Sequence, residues 1–247
     1  MDEIVKRAVE RAIETMQENL GERLTIDDMA RSALFSKFHF SRVFQRVTGV
    51  SPGRFLSAMR LEEAKRLLVS TSFTVSDISH RVGYNSVGTF SARFRNSVGV
   101  SPSIYRQLGG MTTQGADDDL STQAWSTVRG QIVAPPTDQL GLVFVGVFPT
   151  WIPEGPPVRH AVLKRPGPYT MQHVPVGTWY LIAHSVAPGT EDAIEGIPYV
   201  GAHGPITIRP DAEPRNADVH LRPMRALDPP VLTTLREVRT AVLAAAS

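Results

Sequence analysis

A segment of about 50 residues occurs twice in this chain, which reduces much of the folding problem to one small module used in tandem. Residues 25–56 contain TIDDMARSALFSKFHFSRVFQRVTGVSPGRF, and residues 74–106 return with TVSDISHRVGYNSVGTFSARFRNSVGVSPSIYR. At a constant offset of 50, Phe40, Ser41, Phe44, Gly49, Val50, Ser51 and Pro52 recur as Phe90, Ser91, Phe94, Gly99, Val100, Ser101 and Pro102. Those identities fall within one short window, where ordinary residue frequencies would give about one. Upstream the offset is 49, pairing Thr25 and Asp28 with Thr74 and Asp77, so the second copy carries one extra residue in its internal turn.

Each copy reads as two short helices around a tight turn. Thr25 is placed to cap a helix with apolar positions Ile26, Met29, Ala30 and Ala33, and Thr74 one with Val75, Ile78 and Val82, stopped by Gly83. Ser36 and Ser86 are the expected caps of the second helices. In the first of these, Phe40, Val43, Phe44 and Val47 follow the i, i+3, i+4, i+7 spacing of a buried face. Lys37, Ser41, Arg42, Gln45 and Arg46 fall on the other side. Gly49 and Gly99 supply left-handed stops, and Pro52 and Pro102 open the following helices. A helix-turn-helix, present twice, is the organisation this predicts.

The charge distribution fits such a module. Residues 25–106 carry 12 Lys and Arg against 5 Asp and Glu, whereas residues 1–24 carry 4 against 6 and residues 107–247 carry 10 against 13. A whole-chain balance of +2 therefore conceals a basic block suited to a phosphate backbone.

The pattern FHFSRVFQRVTGVSPGRFL, followed by RLEEAKRLL and then ISHRVGYNSVGTFSARFRNSVGVSPSIYR, resembles the DNA-binding domain of the AraC/XylS family of bacterial transcription regulators. The resemblance covers about residues 5–107. It implies seven helices, with two helix-turn-helix units joined by a central helix running from about Pro52 to Val69. That helix would bury Phe55, Leu56, Met59, Ala64, Leu67 and Leu68. The amphipathic run at 3–20, with Ile4, Ala8, Ile13 and Met16, would be the first helix. The resemblance also implies two recognition helices in successive major-groove segments of double-stranded promoter DNA, about one turn (roughly 34 Å) apart.

On that footing the base-reading face of the first recognition helix is Lys37, Phe38, Ser41, Arg42 and Gln45, with His39 and Arg46 toward phosphates. Arg42 has the best chemistry for a base, because a guanidinium donates two hydrogen bonds to guanine. The corresponding face of the second helix is Val87, Gly88, Thr89, Ser91, Ala92 and Arg95. Ala92 removes a reading side chain, so Thr89, Ser91 and Arg95 are expected mainly to hold the backbone. Arg93 is ambiguous, since its partner in the first copy is the core-like Val43. Specificity should lean on the first unit.

Beyond residue 107 the chain changes character. Of 19 prolines, 17 lie at or after residue 135. Residues 108–124 are Gly-rich, polar and acidic, and read as a linker. Short alternating runs follow at 126–134, 141–148, 158–164, 169–174, 177–186, 204–210 and 216–223, each bounded by turn residues. About seven strands over 125–225 predict an all-β sandwich. GPYTMQHVPVGTWYLIA and GPITIRPDAEPRNADVHL resemble the carboxypeptidase regulatory-like, or transthyretin-like, sandwich modules, which implies a binding or packing unit. Trp179 and Tyr180 read as packing residues. Trp151, among prolines, is the one residue singled out for a ligand or partner. Asp228-Pro229-Pro230 is expected to cap a C-terminal helix within 226–247, with Val231, Leu235, Val238 and Val242 as its stripe.

Enzymatic chemistry finds no motif. The absence of cysteine excludes thiol catalysis and disulfides. The seven histidines lack metal-ligand spacing, and neither a phosphate loop, a dinucleotide fingerprint nor a nucleophile elbow occurs. The expected protein is thus a two-domain, cytoplasmic, nucleoid-associated bacterial regulator without cofactor or membrane segment. RNA polymerase is its expected partner; a small-molecule effector and homodimerisation remain open. The alternative is a ligand-binding or interaction sandwich that uses the helical domain as a DNA anchor.

Overall fold

The computed structural model describes residues 3–110, 125–136, 140–187, 199–209 and 215–232. Two compact units emerge. Residues 3–110 pack together with 225–232, and the strands form the second unit.

The helical unit contains α1 (Glu3–Glu18), α2 (Ile26–Ser32), α3 (Lys37–Thr48), α4 (Pro52–Ser70), α5 (Val75–Arg81), α6 (Val87–Val98) and α7 (Pro102–Gln107). The seven expected helices are present. Both first helices of the repeats start on a reciprocal cap: Thr25 Oγ1 accepts from Asp28 N, while Asp28 Oδ2 accepts from Thr25 N, and Thr74 and Asp77 repeat the arrangement. Thr25 Oγ1 also donates to Asp28 Oδ2 at 2.6 Å and Thr74 Oγ1 to Asp77 Oδ2 at 2.7 Å; these side-chain bonds first, and the backbone bonds second, lower the pKa of Asp28 and of Asp77. Gly49 and Gly99 end α3 and α6 at φ 81° and 99°.

Four expectations for this unit need correction. Ser36 makes no side-chain cap, although Ser86 does, through Thr89 N at 3.2 Å. Ile4 is exposed, because α1 turns Ala8, Val9, Ala12, Ile13 and Met16 inward instead. Met59 is only half-buried, while Ala58, Leu61 and the charged Lys65 are buried on α4. Finally, residues 229–232 are not helical; the rest of the expected C-terminal helix and the linker at 111–124 lie outside the described residues.

The core of the unit is a chain of aromatic rings. Phe40, Phe44 and Phe55 meet edge to face at 5.4 Å, and Tyr84, Phe90, Phe94 and Tyr105 repeat the pattern at 5.4–5.7 Å. Apart from the half-buried Tyr84 these rings are fully buried, and such aromatics hold helices at fixed crossings through large apolar area.

The second unit contains β1 (Trp125–Val133), β2 (Val143–Phe148), β3 (Arg159–Leu163), β4 (Pro168–Pro175), β5 (Gly177–Ser185), β6 (Tyr199–Ile208), β7 (Arg215–Asn216), β8 (Val219–His220) and β9 (Arg222–Pro223). They form two sheets, one ordered β4-β1-β7 with β8 also on β1, the other β3-β2-β5-β6-β9. Val128, Ile132, Tyr169, Met171 and Val174 of the first sheet share one buried cluster with Val143, Val145, Val147, Leu181, Ala183, Ile206 and Ile208 of the second. The single strand expected at 216–223 is broken. Its alternation holds, with Ala217, Val219 and Leu221 buried, but β8 pairs in parallel with β1 and β9 antiparallel with β6. The segment therefore passes from one sheet to the other. β4 carries one extra residue opposite the Ser126–Val128 irregularity of β1, where His173 takes a φ of 58°.

Candidate nucleic-acid interface

The exposed side of each repeat is its second helix. On α3, burial of Phe40, Val43 and Phe44 turns Phe38, His39, Arg42, Gln45 and Arg46 to solvent. Phe38 is 75% exposed, with the Lys37 ammonium 5.6 Å from its ring. The ring thus lies in water, on the side of α3 away from its buried face. Ser41 is half-buried and donates its hydroxyl to Lys37 O at 2.9 Å. His39 is exposed and rests edge-on against Phe35 at 4.8 Å.

On α6 the outward face is shorter and less polar. Gly88, Thr89, Ala92 and Arg95 are exposed, and Val87 and Ser91 half-buried. Thr89 Oγ1 accepts from Ser86 Oγ at 2.9 Å, so this hydroxyl is part of the helix cap. A Cβ added at Gly88 would meet nothing within 4 Å. Arg93 is half-buried and donates from Nε to Ser57 Oγ on α4 at 3.2 Å, and Ser57 lies 3.4 Å from Tyr84 Oη. This arginine braces α6 on the central helix, in the position that Val43 occupies in the first copy.

Half of the cations of the basic block are bonded to groups of the same unit, whether buried like Lys65 or exposed like Arg31. Arg31 pairs with Asp28, and Arg66 with Glu63 through two nitrogens at 2.7 and 2.8 Å. Lys65 bonds Glu62 at 2.9 Å. Arg60 donates to the carbonyls of Leu20 at 2.9 Å and Glu22 at 2.6 Å. Arg106 does the same to Leu68 at 2.9 Å and Phe73 at 2.6 Å. Burial lowers the pKa of Arg60 from its ordinary value. Both arginines thus tie a helix C-terminus to the entry of the next capped helix. Sequence reading counted them only as basic charge, because no local pattern marks an arginine whose acceptor lies nearly forty residues away.

The turns before α3 and α6 differ in a telling way. Leu34 and Gly83 occupy the same repeat position, both left-handed, at φ 60° and 80°. At Gly83 a Cβ would lie 2.5 Å from Leu20 O and 2.6 Å from the Arg60 guanidinium. Leu34 instead projects into solvent, 82% exposed. Among the described residues no group of three or more His, Cys, Asp or Glu could hold a metal, and no helix is long and apolar enough to cross a membrane. Trp151, singled out for a ligand or partner, is half-buried, its ring edge-to-face with Tyr180 at 5.3 Å.

Two capped helix pairs, each presenting its second helix outward from one joining helix, define a double helix-turn-helix nucleic-acid-binding unit. A helix-turn-helix domain family model matches residues 29–108. The HTH-type transcriptional activator AarP of Providencia stuartii is 36% identical over 88 residues, spanning 36% of this chain and 65% of that protein. The TetD protein of transposon Tn10 from Escherichia coli is 35% identical over 92 residues, spanning 37% of this chain and 67% of that one. A solved transcriptional regulator from Chromobacterium violaceum, with an AraC-type DNA-binding domain, is 27% identical. It covers 44% of this chain and 96% of that one, at a TM-score of 0.41, too low to carry weight on the fold. The chain belongs to the AraC-type helix-turn-helix family, one of DNA-binding transcription regulators rather than enzymes. It spans less than two thirds of AarP's length, and the family model's match lies in the helical unit.

Proposed function

We propose that this chain is a sequence-specific transcription regulator in which α3 reads bases and α6 holds the backbone, the two helices occupying successive major-groove segments. The observation that carries this reading is the inequality of the two outward faces. Arg42 and Gln45 are exposed on α3 with Phe38 beside them, whereas α6 offers Gly88, Ala92 and one outward arginine, Arg95. Base contacts specify sequence and phosphate contacts fix register, so specificity belongs to the first unit. Ser41 contributes less than its position suggests, because its hydroxyl donates to Lys37 O, whereas Thr89 accepts from Ser86 and keeps its own proton for a phosphate. Lys37, Arg46 and His39 flank the reading residues as phosphate contacts, with Ser91 at the margin of the α6 face.

The strand unit, a sandwich of the carboxypeptidase regulatory-like kind in this reading, serves effector sensing, dimerisation or contact with RNA polymerase in the bacterial cytoplasm. Its two sheets with a common core support that assignment. The test is selection of preferred duplexes by the purified full chain, followed by affinity measurements on the selected and on random DNA. Arg42→Ala is expected to cost about 1–3 kcal/mol at one base pair and to relax preference there. Equal weakening on selected and random duplexes would assign Arg42 to the backbone and overturn the division of labour.

A further inference from the structure

The helical unit is not contiguous in sequence. Residues 225–232 cluster with it, although they follow β9 directly. The segment opens on a turn in which Arg225 N donates to Asp228 Oδ2 at 2.7 Å and Asp228 N to Arg225 O at 3.0 Å. Two prolines then hold the chain out of a helix, and Leu232 is completely buried. Val231 O accepts from Lys65 Nζ, on α4, at 3.3 Å.

Lys65 is an unusual residue for the middle of a domain. Its side chain is 8% exposed, and its ammonium also reaches Glu62 Oε2 at 2.9 Å. A buried ammonium is costly unless its donors are matched by acceptors. Burial works against the charge here, but Glu62 and the nearby Tyr105 of α7 outweigh it, and the pKa stands above that of an ordinary lysine. The group therefore remains a charged donor, with Glu62 and the Val231 carbonyl as its acceptors.

We infer that residues 225–232 are a strap of the DNA-binding unit, latched onto α4 by the Lys65–Val231 hydrogen bond and anchored by the burial of Leu232, and that this strap sets how firmly the central helix holds its two helix-turn-helix units. Such a strap makes the DNA-binding unit dependent on a stretch encoded after the strands. It begins two residues beyond β9, whose residues 222 and 223 pair with β6. A ligand or partner that rearranges β9 would therefore act on α4 through the backbone, without touching the reading face. That regulatory consequence rests on the proposed DNA binding; the strap itself does not.

Hydrogen–deuterium exchange of the full chain tests the strap independently of DNA. In Leu232→Ala, peptides from residues 61–70 and 102–107 are expected to exchange on the order of tenfold faster, while β2 and β5 peptides keep their rates. Lys65→Met, which removes the donor to Val231 but keeps an apolar side chain of similar length, should shift the same peptides in the same direction. Unchanged α4 and α7 exchange in both variants, or an equal rise in β2 and β5, overturns the strap. On a duplex selected by the parent chain, Leu232→Ala should bind at least about fivefold more weakly. Faster α4 exchange with unchanged affinity would overturn the control of DNA binding. Faster exchange in a protein whose parent selects no duplex would leave the strap standing and overturn the DNA reading instead.

Discussion

The salt dependence of DNA binding should be far shallower than the basic block of residues 25–106 suggests. That block carries 12 Lys and Arg. Arg31, Arg60, Lys65, Arg66, Arg93 and Arg106 are bonded to groups of the same unit. Arg81 lies over the Phe73 ring at 4.0 Å, off the recognition helices, and Arg54 sits at the start of α4. Lys37, Arg42, Arg46 and Arg95 are the exposed cations of α3 and α6, Lys37 having only a loose pairing with Asp27 at 3.9 Å to give up. Each phosphate neutralised contributes about −0.9 to the slope of log affinity against log salt, so these four give a slope of about −3.6. Affinity should then fall roughly 150-fold between about 50 and 200 mM salt, whereas participation of the whole block would give a slope near −11 and a loss of about a millionfold. Fluorescence anisotropy with a labelled, selected duplex measures this directly in the full chain. Arg95→Ala should flatten the slope by about one unit, and Arg106→Ala should leave it unchanged. A slope steeper than about −7 would mean that internally bonded cations, or cations of the strand unit, reach phosphates, and the partition would be wrong. A slope flatter than about −2 would remove the recognition helices from the backbone altogether.

The other expectations concern stability and are checked by thermal and denaturant unfolding. Gly83→Ala should destabilise the helical unit by about 2 kcal/mol or more, since φ is positive and the new Cβ meets Leu20 O and Arg60. Leu34→Gly at the equivalent turn should be neutral or stabilising by up to about 1 kcal/mol, because relief of the left-handed strain outweighs the added chain entropy. Destabilisation by Leu34→Gly comparable to that by Gly83→Ala would contradict the comparison of the two turns. Loss of the charged donor in Arg106→Ala should cost about 2 kcal/mol by orphaning the Leu68 and Phe73 carbonyls, and an unchanged midpoint would discount the staple. In the strand unit, burial and then the charge of Asp218 raise the pKa of Tyr169, which donates to Ala217 O. The native state holds this proton more tightly than the unfolded chain, so its contribution is complete below about pH 10 and lost as pH rises beyond it. Tyr169→Phe should flatten that alkaline loss; a pH profile identical to that of the parent would rule out this phenol as the cause.

What could be read from the sequence was what depends on near neighbours. The Thr25 and Thr74 caps, the face of Phe40, Val43, Phe44 and Val47 and the stops at Gly49 and Gly99 are each specified within a turn or two, and they formed, except that Val47 is only half-buried. Arg42, Gln45 and Arg95 came outward because the buried stripe leaves them no other direction. Arg60, Arg93 and Arg106 resisted the same reading, since a cation looks alike in sequence whether it faces water or a distant carbonyl. Pairing with Val43 hinted at an inward Arg93, yet its acceptor Ser57 lies on another helix. In the strands, alternation correctly buried Ala217, Val219 and Leu221, but a period of two says nothing about which sheet a residue joins, so the passage from β1 to β6 was invisible.

The two arginine staples have a mutational consequence. Both grip main-chain carbonyls, which every amino acid supplies. Side chains at positions 20, 22 and 73 can therefore be exchanged without loosening the grip, provided that the backbone path is kept, whereas Leu68 is fixed by its own burial. Arg60 and Arg106 admit no such freedom, because only a guanidinium spans two carbonyls in that fork. The spacing of the two DNA-facing helices is thus tolerant of drift on the receiving side of each staple and intolerant on the giving side.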